Sequence, residues 1–296
     1  MHTFIHRSGW LVAGVLALFV VASMAGVVSG GPLDPTGAPA PTSGVLSPGT
    51  PITSVPFTAS SSGYYYLTGN LTTAGSGAIG IAIGANDVTI DMRGFTLTSP
   101  DLTGTGIFAS TARTGISVEH GQFGGFAFAV DLEASAGFVT DVHVRNFSAT
   151  GVGIQIGPSS LIDGCTVIAT AGHSAGTGIL VSHASVVRNC VVSELNADGV
   201  DLQGDNTILE SSQITGDARI ANSYGVKITG LNATVRNSTL ENSLGADIGV
   251  AVNAALIVDN TVHCAPWIVN LGTFSYYAPT GTEAHANMPR YAPGFC

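Results

Sequence analysis

One short pattern recurs along most of this chain: a glycine, then valine or isoleucine, any residue, then isoleucine, leucine or valine. It reads Gly80-Ile81-Ala82-Ile83, Gly153-Ile154-Gln155-Ile156, Gly178-Ile179-Leu180-Val181, Gly199-Val200-Asp201-Leu202, Gly225-Val226-Lys227-Ile228 and Gly249-Val250-Ala251-Val252. Looser copies at Gly106-Ile107-Phe108-Ala109 and Ala129-Val130-Asp131-Leu132 fill the gap, so successive starts differ by 26, 23, 24, 25, 21, 26 and 24 residues. A period of this length marks a solenoid, in which each repeat is one unit stacked on the next. Apolar, polar, apolar over so few residues is a strand with one buried face and is too short for a helix.

A second ladder lies between the tetrads, anchored on Leu97, Phe123, Val144, Val167, Val192, Ile214, Leu240 and Val262. Three positions before these anchors stand Gly94, His120, Asp141, Gly164, Asn189, Ser211, Asn237 and Asp259. All but Ser211 are among the types that best tolerate a left-handed backbone, so a sharp corner is expected there. Further turns follow the tetrads at Gly84-Ala85-Asn86, Gly204-Asp205-Asn206 and Gly230-Leu231-Asn232. Both ladders count eight coils of two or three short strands each. Coils of this length without helical periodicity, each strand pairing with its copies above and below, give an all-β, single-stranded parallel β-helix.

The segments YYLTGNLT and GIAIGANDVTIDMRGFTLT, followed by repeats such as SVVRNCVV and ATVRNSTL, resemble bacterial exported right-handed β-helix proteins of the pectin-lyase-like superfamily. The resemblance covers roughly residues 63 to 269 and implies the right-handed coil. It implies no single reaction, because the superfamily holds polysaccharide lyases, hydrolases, epimerases and members with no assigned activity.

Arg7 precedes an uncharged, largely apolar run from Trp10 to Val28, and the first acidic residue is Asp34. That is the layout of a secretory signal peptide over residues 1–29, with an uncleaved membrane anchor as the alternative. Residues 30–56 hold seven of the 13 prolines and read as an extended linker. The β-helix domain is then 57–296, with an N-terminal cap over 57–79, coils over 80–269 and a C-terminal cap over 270–296. The expected location is secreted, periplasmic or at the cell surface. Without the leader the chain carries 8 basic and 19 acidic residues, a formal charge of 8 − 19 = −11, which disfavours nucleic acid as a partner.

Of the four cysteines, Cys165 and Cys190 occupy the same position in consecutive coils, about one strand spacing apart, as a disulfide or as two stacked buried thiols. Cys264 and Cys296 are expected to tie the tail to the last coil, as an exported protein can maintain.

Two polar columns are candidates for function. Four residues before each anchor the chain reads Arg93, Glu119, Thr140, Asp163, Arg188, Glu210, Arg236 and Val258, alternating in sign from Asp163 to Arg236. A salt-bridge ladder that sets register is the expected meaning. The outward residues of the tetrads form the other column: Ala82, Phe108, Asp131, Gln155, Leu180, Asp201, Lys227 and Ala251. Asp131, Gln155, Asp201 and Gln203 are candidate contacts for a polysaccharide or an envelope component. In lyases of the resembled superfamily, sugars lie along such a face, carboxylates hold calcium, and an arginine or lysine takes a proton. By that analogy Asp198, Asp201 and Asp205 are calcium candidates and Lys227 a candidate base. No cofactor is otherwise required. The paired carboxylates of glycoside hydrolysis are missing, and so are long cleft-building loops. The first expectation is therefore a non-catalytic structural, adhesive or glycan-contacting surface protein. A calcium-dependent lyase acting on extracellular acidic glycans and a passive carbohydrate-binding module are the alternatives.

Overall fold

Each tetrad forms a strand that pairs in parallel with its copy one coil away. The computed structural model describes residues 49–169, 176–195, 197–216, 223–242, 246–251, 255–262, 268–270 and 288–289. Residues 1–48, which hold the expected leader and most of the expected linker, Cys264, Cys296 and most of the expected C-terminal cap lie outside the described residues. Those described contain no α-helix.

One side of the solenoid is a ten-stranded sheet running from Phe57–Ala59 through the eight repeat strands to Ile268–Asn270. The other two sides form one 18-stranded sheet. They are continuous because Ile116–Gly124 and Gly137–Arg145 run through the corner between them. Inward residues Ile81, Ile107, Val130, Ile154, Ile179, Val200, Val226 and Ile248 stack in one buried column. Each such side chain contributes about 1.5–3 kcal/mol on burial, so the repeat carries its own stabilisation coil by coil.

The corner column behaves as the sequence predicts. Gly94, His120, Asp141, Gly164, Asn189, Ser211, Asn237 and Asp259 all have φ between 50° and 78°. A left-handed residue at each corner turns the chain from the second side to the third within one or two residues.

The glycine that opens most tetrads has a packing cause. A Cβ on Gly199 would lie 2.5 Å from Ile214 Cγ2 and 2.5 Å from the carbonyl oxygen of Gly225 in the next coil. At Gly106 the obstacles are the Ala129 carbonyl oxygen and, 2.8 Å away, the Phe123 ring. The two ladders are thus one device, in which the anchor of the second ladder fills the space a tetrad side chain would need.

Two registers differ from those expected. Lys227 pairs with Gly249 and Ile228 with Val250, so the last tetrad strand sits two residues earlier than Gly249-Val250-Ala251-Val252. The outward residue of that rung is Gly249, in place of Ala251. A slip of two preserves the in-out alternation, so hydrophobic pattern alone does not distinguish the registers. In the charge column Asp91, in place of Arg93, stands opposite Glu119. Four residues separate Asp91 from Thr96, whereas two separate Glu119 from Gln122, the next matched pair. Counting four back from the anchor therefore stops short of Asp91 by that two-residue insertion.

The ladder also reaches further toward the N-terminus than the tetrads do. Thr50–Ile52 pairs with Tyr65–Leu67, and Phe57–Ala59 with Ile81–Ile83, so stretches read as linker and cap supply rungs of the solenoid. Pro51 lies on that edge strand, where a missing N–H is tolerated and discourages pairing with another sheet. The tyrosines read as a cap belong to the strand Gly63–Leu67, with Tyr65 packed edge-on against Phe57 at 5.7 Å between ring centres.

Candidate functional site

The outward residues of the tetrad sheet stack in one line: Asp131 pairs with Gln155, Gln155 with Leu180, Leu180 with Asp201, and Asp201 with Lys227. Five rungs span about 19 Å at the spacing of β-strands. Leu180 divides the line into an Asp131–Gln155 half and an Asp201–Lys227 half. The line is recessed, with Gln155 only 6% exposed and Asp201 3%.

Lys227 organises its half. Its Nζ lies 3.4 Å from Asp198 Oδ2 and 3.4 Å from Asp201 Oδ2. Gln203 Nε2 donates to the same Asp201 oxygen at 3.0 Å, and the Tyr224 amide donates to Asp198 Oδ1 at 3.0 Å. Asp201 Oδ1 is buried and has no partner among the described residues. Burial lowers the affinity of Lys227 for its proton, but Asp201 and Asp198 together outweigh it, so the ammonium titrates above its ordinary value. Burial pushes the Asp198 carboxyl up, with Lys227 opposing, and burial likewise raises Asp131.

Asp205 does not join this group. Its carboxylate accepts the Leu231 amide at 2.8 Å, and its own amide donates to His183 Nδ1 at 3.0 Å, so it shapes the turn after Leu202. As an arrangement for calcium the three aspartates fit poorly, because the Lys227 ammonium already bridges two of them. Calcium prefers six to eight oxygen ligands around itself.

The charge column forms as a ladder of register partners. Arg188 directs Nε and Nη2 onto Asp163 Oδ2 at 2.9 and 2.7 Å, and Arg236 does the same to Glu210 Oε2 at 2.9 and 2.6 Å. The Arg188 contact holds the Asp163 carboxyl below its ordinary value. Cys165 and Cys190 are buried free thiols stacked in adjacent coils. The hydrogen bond with Cys190 and burial raise the Cys165 thiol well above its ordinary value.

Asp91, His120, Asp141 and His143 meet at the corner between the second and third sides, a grouping that sequence reading missed. The corner column already contained His120 and Asp141 in consecutive coils. The insertion at Arg93-Gly94 hid the alignment of Asp91 with Glu119.

Residues 70–239, more than half of the 296, match the family described as right handed beta helix region, and the chain belongs to that family. No curated protein and no solved structure matches the chain. The family model gives a right-handed β-helix and the strand pairings give a parallel β-solenoid, consistent with the pectin-lyase-like superfamily.

Proposed function

We propose that this chain is an exported β-helix repeat protein of the cell surface or envelope that contacts glycans along the Asp131–Lys227 line without chemical turnover. The observation that carries the reading is the bridge from Lys227 to Asp198 and Asp201. A general base must offer a neutral amine near the working pH, whereas two carboxylates hold this ammonium in its charged form. The lyase alternative therefore lacks a base at the lysine it would need. A recessed row of carboxylate, amide and ammonium groups suits the hydroxyls of a sugar chain, which both donate and accept hydrogen bonds. Low charge and the leader-like N-terminus support export.

The test is co-sedimentation of the protein with insoluble uronic-acid and neutral polysaccharides, beside fractionation of the producing cells. Saturable retention on a glycan, weakened by Asp131→Asn and Gln155→Ala, together with recovery outside the cytoplasm, is the expected result. Failure to bind any glycan together with a cytoplasmic location would sink the reading.

A further inference from the structure

The corner between the second and third sides, on the 18-stranded sheet and not on the sheet of the glycan line, carries a second group of polar residues. Asp91 and Glu119 are register partners on adjacent coils. Like charges directly opposite one another destabilise a ladder unless something offsets them. Further along this column each acid has its offset, Asp163 from Arg188 and Glu210 from Arg236. The next rung after Glu119 is Thr140, and no hydrogen bond or ion pair engages the Glu119 carboxylate among the described residues. Arg93, the nearest guanidinium in sequence, stacks 3.5 Å over the Tyr66 ring and approaches Asp91 to 3.8 Å. Asp91 is thus offset by Arg93, and its carboxylate also accepts from the Tyr64 hydroxyl and from the Arg93 amide at 2.8 Å, whereas Glu119 has no cation beside it among the described residues.

His120 stands beside that gap. Its left-handed corner is pinned by the Gly94 amide donating to the His120 carbonyl at 2.6 Å. Nδ1 lies 3.4 Å from Asp91 Oδ1, while Nε2 lies 3.8 Å from Asp141 Oδ2 on the next coil. One ligand atom each from Asp91, Glu119 and His120 lie within 4.8 Å of one another. Donors bound to one ion at about 2.0–2.2 Å sit up to roughly 4 Å apart, so small side-chain rotations close the set. A depression of about 280 Å³ opens beside it, lined by Gln122, Asp141 and His143 as well as His120.

We propose that Asp91, Glu119 and His120 form a binding site for a divalent transition ion of the zinc class. Asp141 orients the imidazole from behind, and the remaining coordination position opens to the depression. An imidazole among carboxylates selects zinc, copper or nickel over calcium, which favours all-oxygen shells. A carboxylate behind a ligating histidine is the usual means of fixing the ring and raising its basicity. The ligands come from two coils and the orienting group from a third, so the ion clips three rungs of the solenoid together.

The test is calorimetric titration of the full chain with zinc, cobalt and calcium, with thermal melts recorded with and without zinc. His120→Asn keeps a residue suited to the left-handed corner, and Glu119→Gln keeps side-chain volume. One equivalent of zinc is expected to bind and raise the melting temperature, and cobalt to give the visible absorption of a low-symmetry site. His120→Asn and Glu119→Gln should each weaken zinc by more than about tenfold, and Asp141→Asn by about 10–100-fold. Absence of saturable zinc binding to the unsubstituted chain would overturn the proposal without any variant. Zinc binding unchanged in both ligand variants, or calcium bound as tightly as zinc, would overturn it equally.

Discussion

The ammonium of Lys227 lies 3.4 Å from Oδ2 of Asp201, its register partner one coil away, and Asp198 closes on the same nitrogen from the edge of the strand. Two acids packed this closely need the cation between them. Lys227→Met should therefore lower stability by about 1–3 kcal/mol, less than the 3–5 typical of a buried pair because the lysine side chain is 32% exposed. Replacing Asp198 with asparagine in that background should recover part of the loss. A double-mutant cycle from chemical denaturation reads the coupling, and additivity would contradict the bridge.

The same groups predict pH dependences of one sign in two separate windows. Lys227 is raised above 10.5, so its contribution is complete below that value and disappears as pH climbs through the higher folded one. Asp198 is raised above 3.8, so stability from this carboxyl is greatest below 3.8 and is lost as pH rises through its folded value. The deficit of Lys227→Met should accordingly shrink on acidification. Melting curves across the acid range check this, and a deficit that grows toward low pH would refute it.

Arg188→Gln removes the fork on Asp163. Both side chains are partly exposed, so the cost should be at most about 1 kcal/mol and should fall with added salt. Asp163 is depressed below 3.8, so the bridge contributes above that value and is lost as pH falls through the lower folded one. The two proteins should then become equally stable in strong acid.

Gly199→Ala tests why the repeat begins with glycine. The new methyl would meet Ile214 and the Gly225 carbonyl at 2.5 Å, a clash relieved only by separating coils. A loss of about 1–3 kcal/mol or more is expected. Gly69→Ala is the control, since nothing lies within 4 Å of its Cβ position, and it should be neutral or stabilising by up to about 1 kcal/mol. Equal effects at both sites would contradict the packing explanation.

What could be read from the chain followed from what each signal encodes. The corner residues were legible because left-handed geometry admits few residue types, and all eight positions have positive φ. Asp131, Gln155, Asp201 and Lys227 fell into line because tetrad spacing sets register directly. The displaced last tetrad was hidden by the two-residue period of a strand, which makes Ile248-Gly249-Val250 as apolar inward as its neighbour. Thr50–Ile52 was obscured by Pro51, a residue that argues against a strand everywhere except at an edge. The grouping of Asp198 with Lys227, and the exclusion of Asp205 from it, depend on side-chain direction across coils, which spacing does not carry. The Asp91–Glu119 pairing depended on an insertion that only the register exposes.

The most direct measurement follows the ultraviolet absorbance of unsaturated uronates while the purified protein is incubated with a panel of acidic polysaccharides, with and without calcium. A flat trace on glycans that nonetheless retain the protein, with retention reduced by Asp131→Asn and Gln155→Ala, is the predicted result. A rise in absorbance that Lys227→Ala abolishes would contradict it, because it would show the bridged ammonium giving up its proton to act as a base.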